Sequence, residues 1–138
     1  MVKTISIIGC GWLGFPLALK LKEKGFEVKG SVTSLSKSEK LQKAGIRPYC
    51  LVIHPEQVEL TDKSFFQTDV VIVAIPPKRV NQVEIIFPQQ IRRLIELLEA
   101  YKVPRVLFIS STSVYNETNG IVQENDAVAP DKPSGKAL

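Results

Sequence analysis

The chain has 138 residues, 44% hydrophobic and 23% charged, which is the size and composition of one compact domain with enough apolar side chains for a core. Its formal charge of +4 is spread out: Lys20, Lys22, Lys24, Lys37, Lys40 and Lys43 lie scattered among acidic residues, as on solvated helix faces rather than a nucleic-acid footprint. The longest apolar stretches, ISIIG and VVIVAI, fall well short of the about 20 residues a membrane span needs, and no signal-peptide processing site follows the start, so a cytoplasmic protein with neither membrane nor nucleic-acid partner is expected.

In chain order, residues 3–9 (KTISIIG) predict a strand. Residues 13–24 predict a helix, with Leu13, Leu17, Ala18 and Leu21 at helical spacing and Gly25 beyond its end. FEVKGSV is a second strand. SLSKSEKLQKAG follows as a short helix capped by Ser36 or Ser38 and ending at Gly45, and RPYCLVI is a third strand. TDVVIVAI, residues 68–75, reads as a strand buried on both faces of a parallel sheet. Pro88 is placed at the first position of a helix whose apolar face is Ile91, Leu94, Ile95 and Leu98 and whose polar face is Arg92, Arg93, Glu96 and Glu99. RVLFIS, residues 105–110, is the fifth strand, and residues 114–133 form a long polar loop. PDKPSGKAL then starts a helix capped by Ser134, too short to hold and expected to fray.

Strands alternating with helices imply a doubly wound parallel α/β sheet of the Rossmann type, strand order 3-2-1-4-5, truncated after the fifth strand. The whole of 1–138 is expected to be one dinucleotide-binding domain, incomplete because its substrate-binding portion is absent. Cys10 and Cys50 show no metal-ligand spacing and read as small buried hydrophobes. His54, before Pro55, reads as a surface residue.

The chemistry lies in GCGWLG. Gly9 permits a tight turn after the first strand, Gly11 lets the backbone approach a pyrophosphate, and Gly14 lets the helix pack on the strand, while Trp12 and Leu13 contribute backbone N–H groups. Their side chains are expected to pack. An NAD site places a carboxylate at the end of the second strand, but Val28 to Ser38 contains none, and Glu27 sits at that strand's beginning. Ser31, Thr33, Ser34 and Lys37 suit a 2′-phosphate, so NADP is favoured, with NAD possible. Ala74, Ile75, Pro76 and Pro77 would wall the crevice.

FISSTSVYN resembles the fifth strand of extended short-chain dehydrogenases/reductases, the sugar-nucleotide epimerase and dehydratase group. Together with GCGWLG and the double proline, it resembles that family's atypical NAD(P)-binding, epimerase-like subgroup, over the first half of such proteins. The resemblance implies that Ser111 bonds the reacting carbonyl or hydroxyl and that Ser110 adjoins the cofactor. It also implies a YxxxK pair at the start of the next helix, where this chain has Ser134 and Leu138 instead. Tyr49, Tyr101 and Tyr115 are followed four residues on by Ile53, Arg105 and Asn119, so none supplies the pair. An epimerase-like reductase portion that is catalytically silent is the leading expectation. A dinucleotide-sensing module is the second, and a cofactor domain of β-hydroxyacid dehydrogenase type, which IIGCGWLGFPLALKLKEKGFEV also resembles, is the third. Self-association is expected, through the fifth-strand edge or the 88–102 helix.

Overall fold

A computed structural model describes residues 1–138. Six strands form one sheet in the order β4-β3-β2-β1-β5-β6: β1 (Thr4–Ile8), β2 (Glu27–Val32), β3 (Arg47–Ile53), β4 (Val58–Leu60), β5 (Val70–Val73) and β6 (Val106–Phe108). All neighbours run parallel except β3 and β4, an antiparallel pair in which Leu51 opposes Leu60 and Ile53 opposes Val58. The expected order of five parallel strands is therefore present, with a short sixth strand added on the β3 edge. Three residues, Val-Glu-Leu, are too few to show a period of two in sequence.

The helices are α1 (Gly14–Glu23), α2 (Ser38–Lys43), α3 (Val83–Ala100) and α4 (Pro133–Lys136). Alternation along β1 divides its side chains between two cores. Ile5 and Ile7 meet Ala18, Val28, Leu41 and Ile46 on the α1/α2 face, while Ile8 meets Leu51, Phe65, Val73, Leu94 and Leu98 on the α3 face. Strands buried on both faces explain the uninterrupted apolar runs. Lys29 on β2 is the exception, a cation only 5% exposed. Its Nζ donates to the carbonyls of Ser64 (2.7 Å) and Gln67 (2.6 Å), around a 3-10 turn at Lys63–Phe66, and burial pulls its pKa down.

Three expectations are corrected. α3 begins at Val83, after a left-handed Gln82, and Pro88 lies inside it. Val83 and Phe87, four residues apart, pack with Ala137 into a small core of their own, and that burial outweighs the single hydrogen bond that Pro88 cannot donate. The C-terminal residues form a one-turn helix packed on the fold: Gly135 and Ala137 are buried, and α4 follows Lys132 with Pro133 at its start and no side-chain cap, rather than Ser134 as cap. A side chain at Gly135 would collide with the Ser113 carbonyl, so the missing Cβ is what lets α4 seat there. Finally, α2 follows a 3-10 turn at Leu35–Lys37 and has no serine cap; Ser38 Oγ donates back to the Leu35 carbonyl (2.5 Å).

Candidate functional site

The turn from β1 into α1 stands at the carboxyl edge of the sheet and is fixed from β2. Gly9 N–H donates to Ser31 Oγ (3.0 Å) and Cys10 N–H donates to the Ser31 carbonyl (2.8 Å). Gly9 has φ +91°, and a Cβ there would come within 2.7 Å of Ile75 Cγ2, so both conformation and space demand glycine. A Cβ on Gly14 would strike the Gly9 carbonyl. A Cβ on Gly11 would meet nothing within 4 Å. The N–H groups of Gly11, Trp12 and Leu13 have no acceptor within the protein and stand at the N-terminus of a ten-residue helix. This is a backbone cradle with the polarity and room for a pyrophosphate.

Sequence reasoning expected the Trp12 and Leu13 side chains to pack; Trp12 is 97% and Leu13 50% exposed. Ser31 also departs from expectation. It is 2% exposed and its oxygen accepts from Gly9, so it holds the turn's shape instead of standing free for a phosphate. The Cys10 thiol, pushed up to about 12 by burial, fills the space beside Gly30, where an added Cβ would lie 2.7 Å from its Sγ. Cys10 and Cys50 are both half-buried rather than fully enclosed.

Beside the turn a cleft of about 360 Å³ runs between the ends of β2 and β3, the loop after β5, and α3. Thr33, Lys37, Ile75 and Pro76 line it, and no carboxylate does. Lys37 Nζ donates to Thr33 Oγ1 (3.3 Å). Leu51, Val52, Ile53 and Phe87 make its apolar side; Gln90 Nε2 fixes that side by donating to the Ile53 carbonyl (2.7 Å). Ser34 does not line the cleft, its hydroxyl pairing with Ser36 (3.1 Å). Ala74 acts through its backbone, donating N–H to the Ile8 carbonyl (2.8 Å). Lys78 and Gln90, which sequence reasoning did not single out, belong to this cleft. Only the loop's position after a switch-point strand could have signalled Lys78.

Ser111 lies elsewhere. It lines a separate polar cleft of about 740 Å³ with Thr112, Ser113, Tyr115, Glu117 and Lys132, and the two clefts share no residue. Its Oγ accepts from Ser113 N–H (3.2 Å), capping a 3-10 turn at Thr112–Val114. Ser110 is exposed and lines neither cleft. The loop that closes this second cleft is tied by a Lys132–Glu117 ion pair and by Asp131, which accepts from Glu117 N–H (3.2 Å) and is held below the usual carboxylate range by that bond. The structure therefore gathers the glycine turn, Thr33, Lys37, Ile75 and Pro76 into one region and leaves Ser110, Ser111 and Ser34 outside it.

Solved structures of similar shape include UDP-N-acetylglucosamine 4-epimerase from Bacillus cereus, with TM-score 0.74 and 14% identity over 98% of this chain and 45% of that one. MoeE5 in complex with UDP-glucose and NAD matches with TM-score 0.69 and 22% identity over 96% of this chain and 44% of that one. At such identities the likeness is one of fold. In sequence, Protein YeeZ of Escherichia coli K12 is 34% identical over 139 residues, covering 99% of this chain and 51% of that protein. The chain thus spans about half the length of the curated relatives it matches. Residues 4–113, from the first residue of β1 into the 3-10 turn at the Ser111 cleft, match the model of the family described as NADP oxidoreductase coenzyme F420-dependent. The chain belongs to that family of NADP oxidoreductases, coenzyme F420-dependent, and has its Rossmann-like NAD(P)-binding fold.

Proposed function

We propose that this chain is the NADP-preferring cofactor portion of an oxidoreductase, and that by itself it turns over no substrate. The single observation that carries the reading is the union of an open backbone cradle at Gly11–Leu13 with an adjoining cleft whose charged lining is wholly cationic. The N–H groups of Gly11, Trp12 and Leu13 would hold the pyrophosphate, Thr33 and Lys37 the 2′-phosphate, and Ile75 and Pro76 the wall beside them. A bound dinucleotide supplies hydride transfer; the protein supplies position and charge.

Silence follows from what stands near Ser111. Its hydroxyl caps a turn, and the resemblance to short-chain dehydrogenases puts Ser134 and Leu138 where Tyr and Lys belong. A positioned general acid or base contributes about 10²–10⁴-fold, and Ser111 alone cannot provide it at neutral pH. The stretch that matches the family model stops at Ser113, short of both positions, which fits a reading centred on cofactor binding rather than on epimerase chemistry.

Titration calorimetry with NADP⁺ and NAD⁺ tests the cofactor assignment. Tighter NADP⁺ binding is expected; equal affinity, or tighter NAD⁺, overturns it. For the second part, NADPH is incubated with a panel of carbonyl and sugar-nucleotide substrates, and oxidation above background that disappears in Ser111→Ala would show the chain to be catalytic.

A further inference from the structure

We propose that Lys78, on the loop after β5, is a second specificity residue of the cofactor cleft, closing on a 2′-phosphate from the wall facing Thr33 and Lys37. The assignment rests on the NADP reading above. Lys37 follows β2 and Lys78 follows β5, two strands separated in the sheet by β1, yet both side chains line one cleft. Between them lies no carboxylate. Five other cations of the molecule pair with acids, Lys20 with Glu23, Lys43 with Glu39, Arg47 with Asp62, Arg93 with Glu96 and Lys132 with Glu117. Lys37 and Lys78 enter no ion pair, and Lys37 Nζ has only the Thr33 hydroxyl. Two unneutralised ammonium groups lining one cleft are both relieved by an anion bound there, and a cleft with low-dielectric walls makes that anion more favourable than it would be on open surface.

The anion's class follows from the rest of the lining. Leu51, Ile53 and Phe87 make an apolar floor suited to a flat heteroaromatic ring, and the cationic rim lies beside it. A phosphate monoester carries about −1.5 to −2 charge at pH 7, more than one lysine, a flexible point charge, neutralises. Lys78 is also well placed to hold still. It follows Pro76 and Pro77, whose rings fix φ, and its carbonyl accepts from Val80 N–H (3.0 Å), so the backbone presenting it is stiff before any ligand arrives. Adenosine bearing a 2′-phosphate fits all three features: ring on the floor, phosphate between the lysines, pyrophosphate on the glycine turn.

Calorimetric titrations of NADP⁺ and NAD⁺ into the wild type, Lys37→Gln, Lys78→Gln and Lys78→Arg test this. Both lysines are exposed, so circular dichroism should show each variant folded. Lys78→Gln is expected to weaken NADP⁺ about tenfold, leave NAD⁺ unchanged and reduce the salt dependence of NADP⁺ binding, while Lys78→Arg keeps the preference. If the wild type prefers NADP⁺ but Lys78→Gln weakens both cofactors equally, or neither, the Lys78 assignment is overturned and the NADP reading stands. If the wild type has no preference, the NADP reading fails and the assignment falls with it.

Discussion

Gly11 and Gly14 sit three residues apart in one turn and are needed for opposite reasons. At Gly14 a Cβ would run into the Gly9 carbonyl, so the constraint is internal to the fold. At Gly11 a Cβ meets nothing in the protein, so the constraint comes from whatever approaches the turn. Gly14→Ala should therefore lower thermal stability by about 1–3 kcal/mol through overpacking, and weaken cofactor binding as a consequence. Gly11→Val should leave the melting temperature within about 2 °C of wild type and abolish NADP⁺ binding, because the added side chain fills the space of the phosphate. Melting curves run beside titration calorimetry separate the two, and a large stability loss in Gly11→Val would refute the open-cradle reading. Ser31 works through the same turn. Ser31→Ala removes the acceptor for Gly9 N–H, leaving a donor without its partner at a cost of about 1–3 kcal/mol, and both cofactors should weaken equally because the residue shapes the turn without selecting its ligand. A change in NADP⁺ alone would return Ser31 to the role of a direct 2′-phosphate contact.

The β1–β5 pair is pinned at its start by one carboxylate. Asp69, just before β5, accepts from the N–H groups of Lys3 (2.8 Å) and Thr4 (2.9 Å), and those bonds, Thr4's first, hold its pKa below the ordinary value. A depressed folded-state pKa gives stability that is present above the unfolded carboxyl value near 4 and is lost as pH falls through the folded one. Melting temperature should thus fall as the pH drops below about 4, and Asp69→Asn should start lower and fall less steeply. It should not become flat, since Asp62 and Asp131 are depressed too. An Asp69→Asn curve parallel to wild type would exclude the bond as the cause. Elements of this kind were partly legible in sequence. The central strands β1, β2 and β5 announced themselves because both faces are buried, and Gly25 and Gly45 marked helix ends because each adopts a positive φ. What escaped was decided by contacts remote in sequence. Val83 and Phe87 become helical against Ala137, fifty residues on, which overrides the N-terminal signal of Pro88. Ser34 and Ser110 were placed in the site by their neighbours along the chain, whereas lining the cleft depends on where each side chain points across strands.

At the scale of the molecule, surface decides what the fold does with its open edge. A compact monomer of 15.3 kDa exposes about 7,100 Å², whereas this chain exposes 9003 Å². Part of the difference is the exposed loop from Asn116 to Asp131, and part is β6. Val106, Leu107 and Phe108 are 44%, 57% and 42% exposed, so both faces of the strand are about half open, and its outer backbone edge pairs with no other strand. Beside it Ile95 of α3 is 47% exposed, continuing the apolar surface from sheet to helix. Native edges are normally blunted by a charge, a proline or a bulge, and the three residues of β6 carry no charge and no proline. A second copy, paired antiparallel through β6 about a two-fold axis, would satisfy both edges at once and close the assembly. Sedimentation velocity at micromolar concentration should therefore show a dimer. Leu107→Lys, which places a charge on the strand outside either cleft, should give a monomer with unchanged NADP⁺ affinity. A wild-type monomer that binds no hydrophobic dye would mean that the β6 edge is covered in solution by the chain itself, and the dimer would be ruled out.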